Sequence, residues 1–253
     1  MRRLQPLYGL VAFVLGFVLT AVCVATSSAA GSLLLPATKI GNGTAHTFVQ
    51  TDASGNPSAI ALVLSAHALD GLPRGDKEYV VPMPPGSKTG FDHVTIDWNA
   101  HGHAPPHVYD VPHFDFHFYT VSVPQQMAVV FPKGEKDPAG RVTDRALVPA
   151  GYTIPPDTAV PMMGVHAIDP SGPEFAGKFT STFLYGYYKN KLIFVEPMIT
   201  RKFLLSHPNA TYVIPTPAKY STPGYYPTKY SVRYDPAQSA YVIELGGLRA
   251  FQT

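Results

Sequence analysis

Five of the ten histidines of this 253-residue chain fall in one stretch, DWNAHGHAPPHVYDVPHFDFHFY, which runs from Asp97 to Tyr119. Histidine is the commonest protein ligand for a transition metal and the side chain that titrates near neutrality. The end of the stretch, HFDFHFY, alternates polar and aromatic residues. Successive side chains of a strand point to opposite faces. His113, Asp115 and His117 therefore share one face, and Phe114, Phe116 and Phe118 fill the other. Two imidazoles and a carboxylate in a row suit a metal site or the wall of a polar cavity. Neighbours in that row are roughly 7 Å apart and can converge on one ion, whereas His113 and His117 are roughly 13 Å apart along the strand. Both reach a single ion only if a bulge or a strong twist brings them together.

The loop before the strand, HGHAPPH, adds His101, His103 and His107. Gly102 permits a tight backbone path and Pro105-Pro106 stiffens the return. Two distant segments contribute further donors. PMMGVHAIDP places His166 after a glycine, and LIFVEPM places Glu196 at the end of an apolar strand, on the face of Leu192 and Phe194. A carboxylate on an apolar face must be paired, protonated or bound to a cation. The expected metal ligands are His103, one or both of His113 and His117, His166 and Glu196. Such a His/Glu set suits Zn, Fe or Mn and disfavours soft copper. Asp115 could orient a ligand ring or, with Glu196, move a proton. The plainer alternative is a set of hydrogen-bonded histidines without an ion.

Composition excludes several classes. Charged residues are only 14%. Beyond Arg2 and Arg3 the chain carries 17 Lys and Arg against 17 Asp and Glu, so it has no electrostatic footprint for a nucleic acid. Cys23 is the single cysteine, which rules out a thiolate zinc site, an iron–sulfur cluster and a cysteine nucleophile in the remainder. Gly-rich phosphate loops, HExxH and GxSxG are absent. Residues 1–30 read as a secretory signal peptide: a basic MRRLQP, an apolar run, then TSSAA with small residues before a cut after Ala30. The expectation is an exported protein, periplasmic or extracellular. The alternative is anchoring by a retained N-terminal segment, the one route to a membrane.

The elements that must position these residues are mostly strands. TAHTFVQTD and SAIALVLSA flank the turn-rich ASGNP, and STFLYGYYKNKLIFVEP reads as a hairpin about Lys189-Asn190. FDHVTIDW, ATYVIPT, YSVRYD and SAYVIELGG follow the strand pattern as well. Helix signals are confined to PQQMAVVF and EPMITRKFLLSH. Short strands with Gly/Pro turns imply an all-β fold, a sandwich or small barrel with one or two short helices. Residues 31–253 are expected to form one such domain, with a Pro/Tyr-rich C-terminal region that either packs in the fold or offers a ligand or subunit surface.

GHAPPHVYDVPHFDFHFY, PMMGVHAIDPSGPEF and TFLYGYYKNKLIFVEPMIT resemble the motifs of an uncharacterised family of exported bacterial proteins, over roughly residues 38 to 205. The resemblance singles out His103, His113, Asp115, His117, His166 and Glu196, and treats His101 and His107 as particular to this sequence. His101-Gly-His103 is also similar to the first motif of cupins, barrels that gather three histidines and a glutamate around a metal, although no glutamate follows here. The function expected is an exported metal-binding protein, an enzyme if the ion acts on a small, weakly charged substrate. The alternative is a non-catalytic ligand-binding or assembly protein of the cell envelope, with a homo-oligomer as one of its forms.

Overall fold

The alternation seen in HFDFHFY sorts its side chains onto two faces of a strand, and both of those faces are buried. The computed structural model describes residues 37–131, 142–156 and 159–251, and the expected signal peptide lies outside them. Within the unit Leu34–Thr253 the strands in chain order are β1 (Thr38–Ile40), β2 (Gly43–Thr51), β3 (Pro57–Ser65), β4 (Lys77–Pro82), β5 (His93–Asn99), β6 (His113–Tyr119) and β7 (Val165–Ala167). They continue with β8 (Ser181–Tyr188), β9 (Lys191–Thr200), β10 (Asn209–Val213), β11 (Gly224–Tyr226), β12 (Lys229–Asp235), β13 (Ala240–Gly246) and β14 (Arg249–Phe251). Two six-stranded antiparallel sheets form, in the orders β1-β2-β3-β13-β12-β10 and β4-β5-β6-β9-β8-β7. The sheets stay open, so the fold is the β-sandwich of the two expected architectures and not a closed cupin-like barrel.

One core lies between the sheets. From one side come Ile60, Leu62, Leu64, Ile243 and Leu245, and from the other Val94, Ile96, Phe114, Phe116, Phe118 and Val195. All eleven are fully buried. The predicted hairpin between β8 and β9 turns at Lys189 and Asn190, with φ of 50° and 60°, the consecutive left-handed residues of a two-residue hairpin turn. The ASGNP turn is held by Asp52, whose Oδ1 accepts from the N–H groups of Ser54 and Asn56 at 2.9 Å each.

The two short helices also form, α1 over Val123–Met127 and α2 over Arg201–Leu205. The second starts later than its proline suggested. Glu196 to Thr200 complete β9, paired with β6 from Thr200↔His113 onward, and Thr200 Oγ1 then caps α2 by accepting from the Phe203 N–H at 3.2 Å. Of the C-terminal tyrosines, Tyr220, Tyr226, Tyr230 and Tyr241 are buried, with Tyr220 and Tyr226 stacked at 3.6 Å. These four rings serve the core and not a rim.

Candidate functional site

The second sheet turns its phenylalanine face to the core and a polar face away from it. Pairing of β5 with β6 sets Thr95 opposite His117, Asp97 opposite Asp115 and Asn99 opposite His113. On the other side of β6, Asp115 pairs with Met198 and Phe118 with Val195. Between these rungs lie His117 and Glu196, next to Pro197, which has no N–H to give to the ladder. Glu196 pairs in turn with Leu184 of β8, and His166 of β7 with Gly186. Four strands thus carry the donors to one surface, although β6 and β9 are far apart in sequence.

The expected ligands assemble there, in two groups. His117, His166 and Glu196 hold their donor atoms within 4.8 Å of one another, and so do His103, His113 and Asp115. His113 and His117 do not meet: no bulge in β6 brings them together, and the strand spacing separates them. His101 and His107 belong to neither group. His93, just before the motif, is satisfied by Gln126 Oε1 and Asp92 Oδ1, both at 2.9 Å.

In the first group, Glu196 Oε1 is 3.4 Å from His117 Nε2 and Oε2 is 3.7 Å from His166 Nε2. Two donors on a tetrahedral ion with bonds of about 2.1 Å stand about 3.4 Å apart. His117 Nδ1 lies 3.3 Å from both Asp97 Oδ2 and Thr95 Oγ1. Donation of its N–H there leaves the Nε2 lone pair facing Glu196, the orientation that outer carboxylates impose on metal-binding histidines. His117 Nε2 and Glu196 Oε2 are buried without a hydrogen-bond partner. Among the described residues seven buried side-chain polar atoms are in that state, and Asp97 Oδ1, Asp115 Oδ1, His117 Nε2 and Glu196 Oε2 are four of them. Buried polar groups are normally paired, and more than half of the exceptions among the described residues lie on this one face. These buried His, Asp and Glu groups are able to hold a metal.

The second group is more exposed. His103 Nε2 is 3.2 Å from Asp115 Oδ2, and His113 Nε2 is 3.1 Å from Oδ1. Asn99 Nδ2 donates to Asp115 Oδ2 at 2.8 Å. The His103 side chain is 40% exposed and that of His113 not at all.

Three carboxylates on one buried face cannot all keep their charge. Burial pushes Glu196 well above the usual carboxylate range, and the charges of Asp115 and Asp97 push it further. Burial and the charge of Asp115 likewise raise Asp97. Burial works the same way on Asp115, but its close contacts with His103 and His113 outweigh it and hold this carboxyl low. Burial lowers His103, and its contact with Asp115 more than reverses that. Burial drops His117 to about 3, so the ring is neutral at neutral pH and carries a single N–H.

Asp97, Thr95 and Asn99 are the members that the motif reading missed. Their signal was present in HVTIDWN, whose polar residues alternate as those of HFDFHFY do. Gly186 is a second omission. A Cβ there would lie 2.1 Å from ring atoms of Phe194, a ring that packs 4.7 Å from His117 and 5.4 Å from His166. Gly186→Ala must therefore displace a fully buried ring that packs against both histidines. The expected result is roughly 1–3 kcal/mol of destabilisation by overpacking, seen in chemical denaturation.

A family model described as TTHB210-like, Hypothetical protein TTHB210, matches residues 52–98. The match runs through β3, β4 and β5, so it includes Thr95 and Asp97 and stops before both donor groups. No curated protein and no solved structure matches the chain.

Proposed function

We propose that the chain is an exported metal-binding protein that holds one divalent ion between His117, His166 and Glu196. The observation that carries this is the pair of buried, unpartnered donors His117 Nε2 and Glu196 Oε2, the first 3.4 Å from Glu196 Oε1 and the second 3.7 Å from His166 Nε2. Two imidazoles and a carboxylate favour Zn, Fe or Mn. The basic MRRLQP and the apolar run behind it support export. A bound ion supplies Lewis acidity toward a small oxygen-containing substrate. Asp97 fixes the ring of His117, and Phe194 and Tyr119 exclude water around it. The side chains of His117 and Glu196 are 1% and 3% exposed, against 15% for His166. The edge of His166 is thus the way in, and it suits only a small, weakly charged molecule.

The test is elemental analysis of protein purified without added metal, beside His166→Ala prepared identically. The expected result is stoichiometric metal in the parent and at least a tenfold lower content in the variant, with the variant still melting cooperatively. Equal content in the two would remove His166 from the site. A second reading, a polar network without any ion, is favoured by the three partners that already surround Asp115. It predicts a parent free of metal.

A further inference from the structure

We infer that His103, His113 and Asp115 form a second, separate cation site on the same sheet face. The argument is one of donors and acceptors. His103 Nδ1 donates to the Ala104 carbonyl at 2.7 Å, and His113 Nδ1 donates to the Val111 carbonyl at 2.7 Å. A neutral imidazole has one N–H, so the Nε2 of each ring then presents a lone pair, that of His113 with Asn99 Nδ2 at 3.4 Å as its one long hydrogen-bond donor. Both lone pairs face the same carboxylate, at 3.2 and 3.1 Å. Lone pairs that face carboxylate oxygens at these distances repel, and the three donor atoms lie within 4.8 Å of one another, close enough to share one cation. A single divalent ion satisfies all three donors with both rings neutral.

Two further features fit an ion. Asp115 Oδ1 is buried and has no hydrogen bond. The backbone carbonyls on both Nδ1 atoms are the outer partners that fix the tautomer of metal-binding histidines. His103 is placed by Gly102, whose φ is 74° and where a Cβ would lie 2.1 Å from the Tyr109 carbonyl oxygen. Only glycine lets the loop close on itself through the His103↔Tyr109 bridge. With the His103 side chain 40% exposed, this ion exchanges with solvent more readily than the inner one. Asp115 and His117 are alternate residues of β6, roughly 7 Å apart, and the groups share no ligand. The centres are two mononuclear sites, wider apart than the roughly 3.5–4 Å of a bridged pair. Asp115 is then a ligand and not a proton carrier.

This second site rests on the same kind of chemistry as the first but fails separately from it. Chelator-stripped protein is titrated with Co²⁺ and, in parallel, equilibrated with Zn²⁺ and analysed for bound metal. The expectation is two equivalents in the parent, one in His103→Ala, one in His166→Ala and none in the double variant. Asp115→Asn, close in shape, repeats the test if His103→Ala does not melt cooperatively. One equivalent that His103→Ala leaves unchanged overturns the second site and keeps the first. One equivalent that either variant abolishes means a single shared ion and overturns the separation. Two protons in place of the ion would appear as no metal loss in either His103→Ala or Asp115→Asn.

Discussion

Glu196→Gln is expected to fold and to lose the inner ion. The substitution keeps the shape of the side chain and removes the only formal negative charge among the three inner donors. Losing an outer partner of a metal ligand typically lowers affinity about 10–100-fold, and losing the charged ligand itself should exceed that. The parent, at metal a thousandfold above its dissociation constant, gains about 4 kcal/mol of stability. For a chain of this size that raises the melting temperature by roughly 8–16 °C. Glu196→Gln should show almost none of this rise. Without metal the order reverses. Burial, then the charges of Asp115 and Asp97, raise Glu196 well above its ordinary 4.5. The folded state then keeps a proton that the unfolded chain releases above that pH. Its contribution is full below the unfolded value and is lost as pH rises toward the folded one, by up to about 1.4 kcal/mol per unit. Glutamine has no proton to lose, so the metal-free variant should be the more stable of the two at neutral pH and have the shallower pH dependence. Thermal melts with and without chelator from pH 5 to pH 8 check both statements. A variant that still gains the full metal-induced shift would remove Glu196 from the coordination sphere.

Much of this site was readable because period-two alternation is a local property. HFDFHFY alone puts His113, Asp115 and His117 on one face, and LIFVEPM alone makes Glu196 a carboxylate among apolar neighbours. Which histidine meets which carboxylate is not local. It depends on β6 lying beside β9 and on β7 reaching the group across β8, an order of strands that no run of residues encodes. For that reason the sequence points to one ion for His103, one or both of His113 and His117, His166 and Glu196, while the strand spacing between His113 and His117 is what divides them into two groups. Asp97 does not stand out in the sequence, because a carboxylate next to Trp98 looks like a strand end until β5 is paired with β6. Gly186 carries no signal at all, since its importance lies in where the Phe194 ring comes to rest. The sandwich was legible from the density of short strands and turns, but its choice over a barrel was not. That choice depends on whether the outer strands pair with each other, and β4 and β7 do not.

Phe116→Ala should produce the opposite pattern to Glu196→Gln: a large loss of stability with the metal retained. Phe116 is fully buried and stacks on Phe114 with ring centroids 5.7 Å apart. Its neighbours in β6 point the other way, toward the donors. Removing the ring leaves a cavity between the sheets, and such truncations cost about 3–5 kcal/mol. The expected fall in melting temperature is then roughly 6–20 °C, with a lower denaturation midpoint and an unchanged denaturant slope, since no new surface is exposed on unfolding. Metal bound per folded molecule should stay at the parent level, because Asp115 and His117 keep their backbone register with β5 and β9. If Phe116→Ala instead released the ion while barely changing stability, Phe116 would belong to the donor face. The assignment of β6 to a core side and a chemical side would then be inverted, and the geometry of both donor groups would go with it.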